Sequence, residues 1–291
     1  MMSNRKAYRV SKESCFIFLV FCTLFTSCSD NKPTTLTESS DSFSLLTYNV
    51  AGLPQGISPS NPEKNIPLIS PLLNKFDVAL VQEDFFFHNE LMAQAEHPYK
   101  SKPESGNSQI LFGDGLNRFS MFPLSNFQRK AWQTCSNDRG NDCLALKGFS
   151  VAETEIAPGV TIDVYNLHMD SGGSQSDIDS RRMQIAQLLQ TIKTRSAGKA
   201  VIVAGDTNLN TELRAADAEM LQSLLDGAAL TDACRFLACS AEMVDRVLFR
   251  KSASLMLKAT SWKIDPDFVD EEGNKLSDHF AVAVDFDWAL R

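Results

Sequence analysis

Six short β-type runs recur along this chain, and each meets a polar residue at one end. Ser44-Leu45-Leu46-Thr47-Tyr48 ends at Asn49, and Asp77 to Gln82 ends at Glu83. Val160 to Leu167 reaches His168, and Ala200 to Gly205 ends at Asp206. Two further runs open on such residues: Asp245 precedes the run to Phe249, and Asp278-His279 precedes the alternating run Phe280 to Phe286. Runs of this kind suit sheets with a buried face. Polar residues gathered at strand ends are where loops build a site on a rigid scaffold.

Helical spacing fills the gaps. Ile178, Ile185, Leu188, Leu189 and Ile192 form one stripe over 178–192. Leu213, Leu221 and Leu224 form another over 212–226, with Gly227 as its expected stop. Segment 63–75 is a weaker helix because it contains Pro67 and Pro71. Strands alternating with helices predict an α/β or α+β architecture. The chain has 291 residues, 43% of them hydrophobic and 22% charged, which are globular values. They exclude a disordered tail, a collagen-like repeat and a disulfide-packed mini-protein. No internal repeat and no composition shift divides residues 43–291, which read as one domain.

The N-terminus reads as an address. Arg5, Lys6, Arg9 and Lys12 precede an apolar run from Cys15 to Phe25. That run is shorter than the roughly 20 residues needed to span a bilayer and has the length of a signal-peptide core. Leu24-Phe25-Thr26-Ser27-Cys28 resembles a bacterial lipobox, with Phe25 where the pattern has an aliphatic residue. Residues 1–27 are therefore expected to be a signal peptide, Cys28 the lipidated residue, and 28–42 a polar tether. This places the protein on the bacterial cell envelope or outside the cell. Of seven Cys, four would remain in the domain: Cys135, Cys143, Cys234 and Cys239. An even number in an exported chain points to disulfides. Local spacing favours Cys135–Cys143 and Cys234–Cys239 among three pairings. A zinc site is the competing use, and only Cys234/Cys239 has suitable spacing for it.

The strand-end residues are rich in oxygen and hold two imidazoles. A hard cation such as Mg²⁺ takes carboxylate and amide oxygens, which Glu83 and Asn49 could supply. A His with an Asp partner suits the deprotonation of water at neutral pH. After residue 27 the chain carries 24 basic against 35 acidic residues, a balance of −11. That balance argues against a high-affinity nucleic-acid binder, but not against an enzyme that brings its own cations. The run Phe85-Phe86-Phe87, next to Glu83, could line a substrate entrance, though such runs are more often core. Motifs for a serine hydrolase, a nucleotide cradle and a zinc protease do not occur.

Six motifs follow one another in order: Tyr48-Asn49, Gln82-Glu83, Asn166-Leu167-His168, Gly205-Asp206-Thr207-Asn208, Asp245-Arg246-Val247 and Ser277-Asp278-His279. The series resembles the endonuclease/exonuclease/phosphatase superfamily over residues 43–291. The resemblance implies an α+β fold, a four-layer α/β/β/α sandwich of two mostly antiparallel sheets flanked by helices. It implies metal binding by Asn49 and Glu83, with Asp278 touching metal or phosphate. It implies that Asp206 and Asn208 position nucleophile and phosphate. His279 is implied as the base with Asp245 as its partner, and His168 as the acid. Asp142-Cys143-Leu144-Ala145-Leu146-Lys147-Gly148-Phe149 and Arg181-x-x-Gln184 are similar to secreted bacterial sphingomyelinases. The haemolytic members carry a long hydrophobic hairpin before the final Ser-Asp-His. Here residues 250–276 are charged and mixed, with Trp262 and Phe268 as their aromatics. The expected activity is a monomeric, Mg²⁺-dependent phosphodiesterase, with Mn²⁺ or Ca²⁺ as substitutes, acting on a phospholipid head group at a membrane surface. The alternatives are an extracellular nuclease of the same fold and a surface-tethered binding module without catalysis.

Overall fold

The computed structural model describes residues 40–291 except 59, 107–111, 139–141 and 240–242. The signal peptide, Cys28 and most of the tether lie outside the described residues. Twelve strands form two six-stranded sheets. The first sheet takes the order β11 (Leu255–Ile264), β12 (Val282–Leu290), β1 (Ser40–Asn49), β2 (Val78–Gln82), β4 (Asn117–Ser120) and β3 (Tyr99–Lys100). The second takes the order β5 (Leu124–Ala131), β6 (Gly148–Ala157), β7 (Val160–His168), β8 (Val201–Asp206), β10 (Asp245–Arg250) and β9 (Thr231–Asp232). Among the described strands, β1–β2 and β7–β8 pair in parallel and the other pairs are antiparallel. The expected mostly antiparallel sandwich is the observed one.

The inner strands β2, β7 and β8 are buried on both faces because both faces are covered. Phe43 and Leu45 of β1, Val78 and Leu80 of β2, Ile162 and Val164 of β7, and Ile202 and Ala204 of β8 join the core between the sheets. The alternate residues Leu46, Tyr48, Ala79 and Val81 pack outward with Ile66 and Ile69 of α1 (Pro62–Leu72). On the other sheet, Tyr165, Leu167, Val201 and Val203 pack against Ile185 and Leu188 of α3 (Gln175–Arg195) and Leu221 and Leu224 of α4 (Ala215–Ala228). The layers are thus α/β/β/α.

Several local expectations change. Ser40, Asp41 and Ser42, read as tether, extend β1 and pair with Ala289, Trp288 and Asp287. Helix α1 is continuous through Pro67 and Pro71, because burial of Ile66 and Ile69 outweighs the lost backbone hydrogen bonds. Gly227 does not stop α4; the left-handed residue is Ala229, at φ 52°. A Cβ on Gly227 would lie 2.8 Å from Leu189, so this glycine serves close packing of α4 on α3. Leu213 precedes the helix and is 77% exposed. Both favoured disulfides, Cys135–Cys143 and Cys234–Cys239, are present, and they leave none of the four cysteines for zinc.

Residues 265–281 close one side of the first sheet without an apolar hairpin. Phe268 is buried against Tyr48 and Phe76. Lys75 holds Asp265 at 2.5 Å and Asp267 at 2.8 Å, and Lys64 holds Asp270 at 2.8 Å.

Gly205 carries the last turn of β8 toward the site. Its φ is +138°, and a Cβ there would stand 2.1 Å from the Leu167 carbonyl oxygen. Strain and backbone clash combine, so Gly205→Ala should cost about 2–4 kcal/mol. Urea unfolding of the domain measures this; a change below about 0.5 kcal/mol, typical of a neutral surface site, would contradict it.

Candidate active site

Strand periodicity brings the polar residues together. Along β1 the side chains facing between the sheets are Phe43, Leu45, Thr47 and then Asn49. Along β7 they run Ile162, Val164, Asn166 and His168; along β8, Ile202, Ala204 and Asp206. Strand β10 is antiparallel to β8, with Asp245 opposite Asp206, so its first residue lies at the same edge. Strand β12 is antiparallel to β1, which delivers Asp278-His279 there as well. Asn49, His168, Asp206 and Asp245 are all buried.

Glu83 arrives differently. The inward residue at the end of β2 is Gln82, and Glu83 follows it in a left-handed conformation, φ 58°. Its carboxylate accepts from Asn49 Nδ2 at 3.1 Å.

Asp206 is the hub. Its Oδ2 accepts from Asn49 Nδ2 at 3.3 Å and lies 3.3 Å from His168 Nε2 and 3.7 Å from His279 Nε2. Its Oδ1 accepts from the Asn208 backbone N–H at 2.9 Å. His279 Nδ1 lies 2.8 Å from Asp245 Oδ2, the expected partnership. His168 Nε2 is also 3.9 Å from Glu83 Oε1. The two imidazoles therefore converge on one carboxylate oxygen. Asn208, itself left-handed at φ 51°, ties its amide to the Met169 carbonyl. Asp278 is exposed at the rim, with Oδ1 3.2 Å from Ser277 Oγ. It does not enter the buried cluster.

Burial works against charge on His279, but the hydrogen bond to Asp245 and the Asp245, Asp206 and Asp278 carboxylates push it up to about 10. Burial likewise pushes Asp245 up to about 6, against the pull of His279. Asp206 is buried too, yet His168 and His279 hold it well below the usual carboxylate range.

The donor chemistry fits a hard divalent cation through the Glu83 and Asp206 carboxylates, which Asn49 Nδ2 bridges. Ligand atoms of Asp206, Asp245 and His279 all lie within 4.8 Å of one another. Asn49 points its amide nitrogen at these carboxylates, while its Oδ1 accepts from the Ala51 N–H at 3.0 Å. In this arrangement it acts as a donor to the carboxylates, not as an oxygen ligand.

The cluster forms the floor of a cavity of about 580 Å³. Its walls include Leu53, Ile57, Phe85, Phe112, Leu144 and Lys147. Phe85 thus faces the cavity and Phe86 is 50% exposed, while Phe87 packs toward the α1 core; of the three, only Phe87 behaves as core. Lys147 was visible in sequence only as part of a motif. It pairs with Asp142 at 2.5 Å, beside the Cys135–Cys143 bridge.

Two stacked mixed sheets with flanking helices make the fold also found in a protein described as an endonuclease/exonuclease/phosphatase. A protein of that description from Beutenbergia cavernae superposes with a TM-score of 0.61 at 15% identity, over 84% of this chain and 71% of that one. Sphingomyelinase C from Streptomyces griseocarneus gives 0.61 at 19% identity, over 84% and 99%. A Staphylococcus aureus beta toxin with bound magnesium ions gives 0.62 at 17%, over 84% and 99%. In sequence the chain is a relative of the sphingomyelinases of Mycobacterium tuberculosis and Mycobacterium bovis, 34% identical over 270 residues. The match takes in 85% of this chain and 53% of theirs, so the chain spans about half the length of these curated relatives. No family model matches the chain.

In protein stripped of divalent cations, His279 should titrate near pH 10, and Asp245→Asn should bring it back toward 6.5, as read by NMR of the imidazole. The folded value lies above the ordinary 6.5, so the pair stabilises the fold fully below that pH. The contribution fades as pH rises to about 10. Asp245, also raised, adds a loss of the same sign as it ionises between 3.8 and about 6. A Tm independent of pH across both windows would contradict this.

Proposed function

We propose that this chain is a metal-dependent phosphoric diester hydrolase acting on a phospholipid head group, in the manner of sphingomyelinase C. The observation that carries it is the convergence of His168 and His279 on Asp206, with Glu83 alongside, in a fold and sequence akin to sphingomyelinases. Export and lipid attachment at Cys28 belong to the same reading. The two disulfides support an oxidising compartment. Among the described residues no helix is long and apolar enough to cross a membrane.

His279 is the base. Asp245 occupies Nδ1 and fixes the ring, which leaves Nε2 to take a proton from water. Asp206 Oδ2, 3.7 Å from Nε2, favours the charged ring once that proton has been taken. His168, on the other side of Asp206, delivers a proton to the leaving oxygen through Nε2. Asn49 and the Asn208 backbone N–H hold the Asp206 carboxylate in place. Glu83, with Asp206, would hold the cation. When bound, Mg²⁺ offsets the carboxylate charge around His279, polarises a phosphoryl oxygen and acidifies water. Lys147, on the cavity wall and paired with Asp142, offers its remaining N–H groups to an anionic substrate.

The direct test is turnover of sphingomyelin, phosphatidylcholine, DNA and an aryl phosphodiester with and without Mg²⁺. Release of phosphocholine is expected to dominate, and DNA cleavage exceeding it would displace the lipid reading. Glu83→Ala should abolish metal binding and activity while leaving the fold intact. Calorimetry with Mn²⁺ and circular dichroism check these, and retained metal-dependent turnover would reject Glu83 as the ligand.

A second test separates the two imidazoles. His279→Ala and His168→Ala should each lose about 10²–10⁴-fold in rate. On a substrate with a very good leaving group the His168 variant should recover much of its rate and the His279 variant should not. Equal recovery by both would reverse the assignment.

A further inference from the structure

Glu83 sits in a backbone conformation that few non-glycine residues adopt, so something must hold it there. Part of the hold is steric. The Glu83 carbonyl accepts N–H groups from Gly52 at 3.0 Å and Phe85 at 2.8 Å. A Cβ on Gly52 would stand 2.5 Å from that carbonyl oxygen, and one on Gly115 would stand 3.1 Å from the Glu83 Cα. The rest of the hold comes from the next residue.

Asp84 is buried and does not line the cavity. Its N–H donates to the Gly115 carbonyl at 3.1 Å. Its Oδ2 accepts from Asn117 Nδ2 at 2.8 Å and meets His88 Nδ1 at 2.5 Å. A carboxylate at this distance requires the hydrogen of His88 to be on Nδ1. The Asn117 amide is itself oriented, because its Oδ1 accepts from Ser101 Oγ at 3.0 Å and Arg129 Nη2 at 2.9 Å. Asn117 lies on β4, paired directly with Val81 of β2. Asp84 is therefore tied both to a sheet strand and to the short helix α2 (His88–Met92). None of these three side chains has a part in the mechanism above.

We infer that Asp84, His88 and Asn117 form a clamp that positions Glu83, so that His88 is a positioning residue for cation binding. This rests on the reading of Glu83 as a metal ligand. Groups that orient a ligand from behind affect affinity strongly, because a ligand free to rotate away must be reordered on binding.

The test is Mn²⁺ binding to the full chain, followed by calorimetry, with substrate kinetics alongside. His88→Ala should weaken Mn²⁺ binding by about 10–100-fold and lower kcat, with KM for substrate nearly unchanged. His88→Asn, whose amide nitrogen can replace Nδ1 as the donor, should restore most of the affinity. Asn117→Asp, which sets a second carboxylate against Asp84, should reproduce the loss should His88→Ala fail to fold. Unaltered Mn²⁺ affinity in folded His88→Ala, with Glu83→Gln weakened, would overturn the clamp. Unaltered affinity in Glu83→Gln would overturn the ligand reading beneath it, and the clamp with it.

Discussion

A buried pair of amides locks the two sheets together directly beneath the site. Gln82 Nε2 donates to Asn166 Oδ1 at 2.7 Å and to Thr47 Oγ1 at 3.1 Å. Asn166 Nδ2 donates in turn to the carbonyls of Val81 and Asn117. Apolar packing between sheets tolerates sliding far better than directional hydrogen bonds do. Since half of the cluster comes from each sheet, that registration decides whether Asn49 and Glu83 meet His168 and Asp206. Each amide lies one or two positions from a site residue, so its role is alignment.

Charge is the second constraint. Asp206, Asp245 and Glu83 stand close together, and such a group of carboxylates is costly to bury unless cations or protons balance it. Here the two imidazoles and Asn49 Nδ2 face these carboxylates.

Much of the site could be read before the fold. Asn49, His168, Asp206 and Asp245 occupy positions that strand alternation assigns to one face, at ends that antiparallel pairing brings to one edge. The same alternation would have excluded Glu83, since Gln82 takes the inward position. Glu83 enters through a left-handed backbone imposed by Gly52, Gly115 and Asp84, two of which are distant in sequence. Asp278 and His279 both line the cavity from the bend before β12, but Asp278 stays exposed at its rim while His279 joins the cluster. Gly227 and Leu213 were misplaced as well. A glycine that permits helix contact and one that ends a helix look alike in sequence.

The sequence by itself determined the strand-forming runs, the order of the strand-end residues, the favoured spacing of the cysteines and the oxygen-rich chemistry. Those follow from local periodicity, spacing and side-chain type, which need no partner to be expressed. The tertiary structure decided which carboxylate each imidazole meets, that Asp206 serves both, and that Asn49 donates to its neighbours. It also decided that Phe85 faces the cavity while Phe87 is core. These depend on ångström-scale separations between residues up to 230 positions apart, as for Asn49 and His279. Only the packing of one sheet on the other sets such separations.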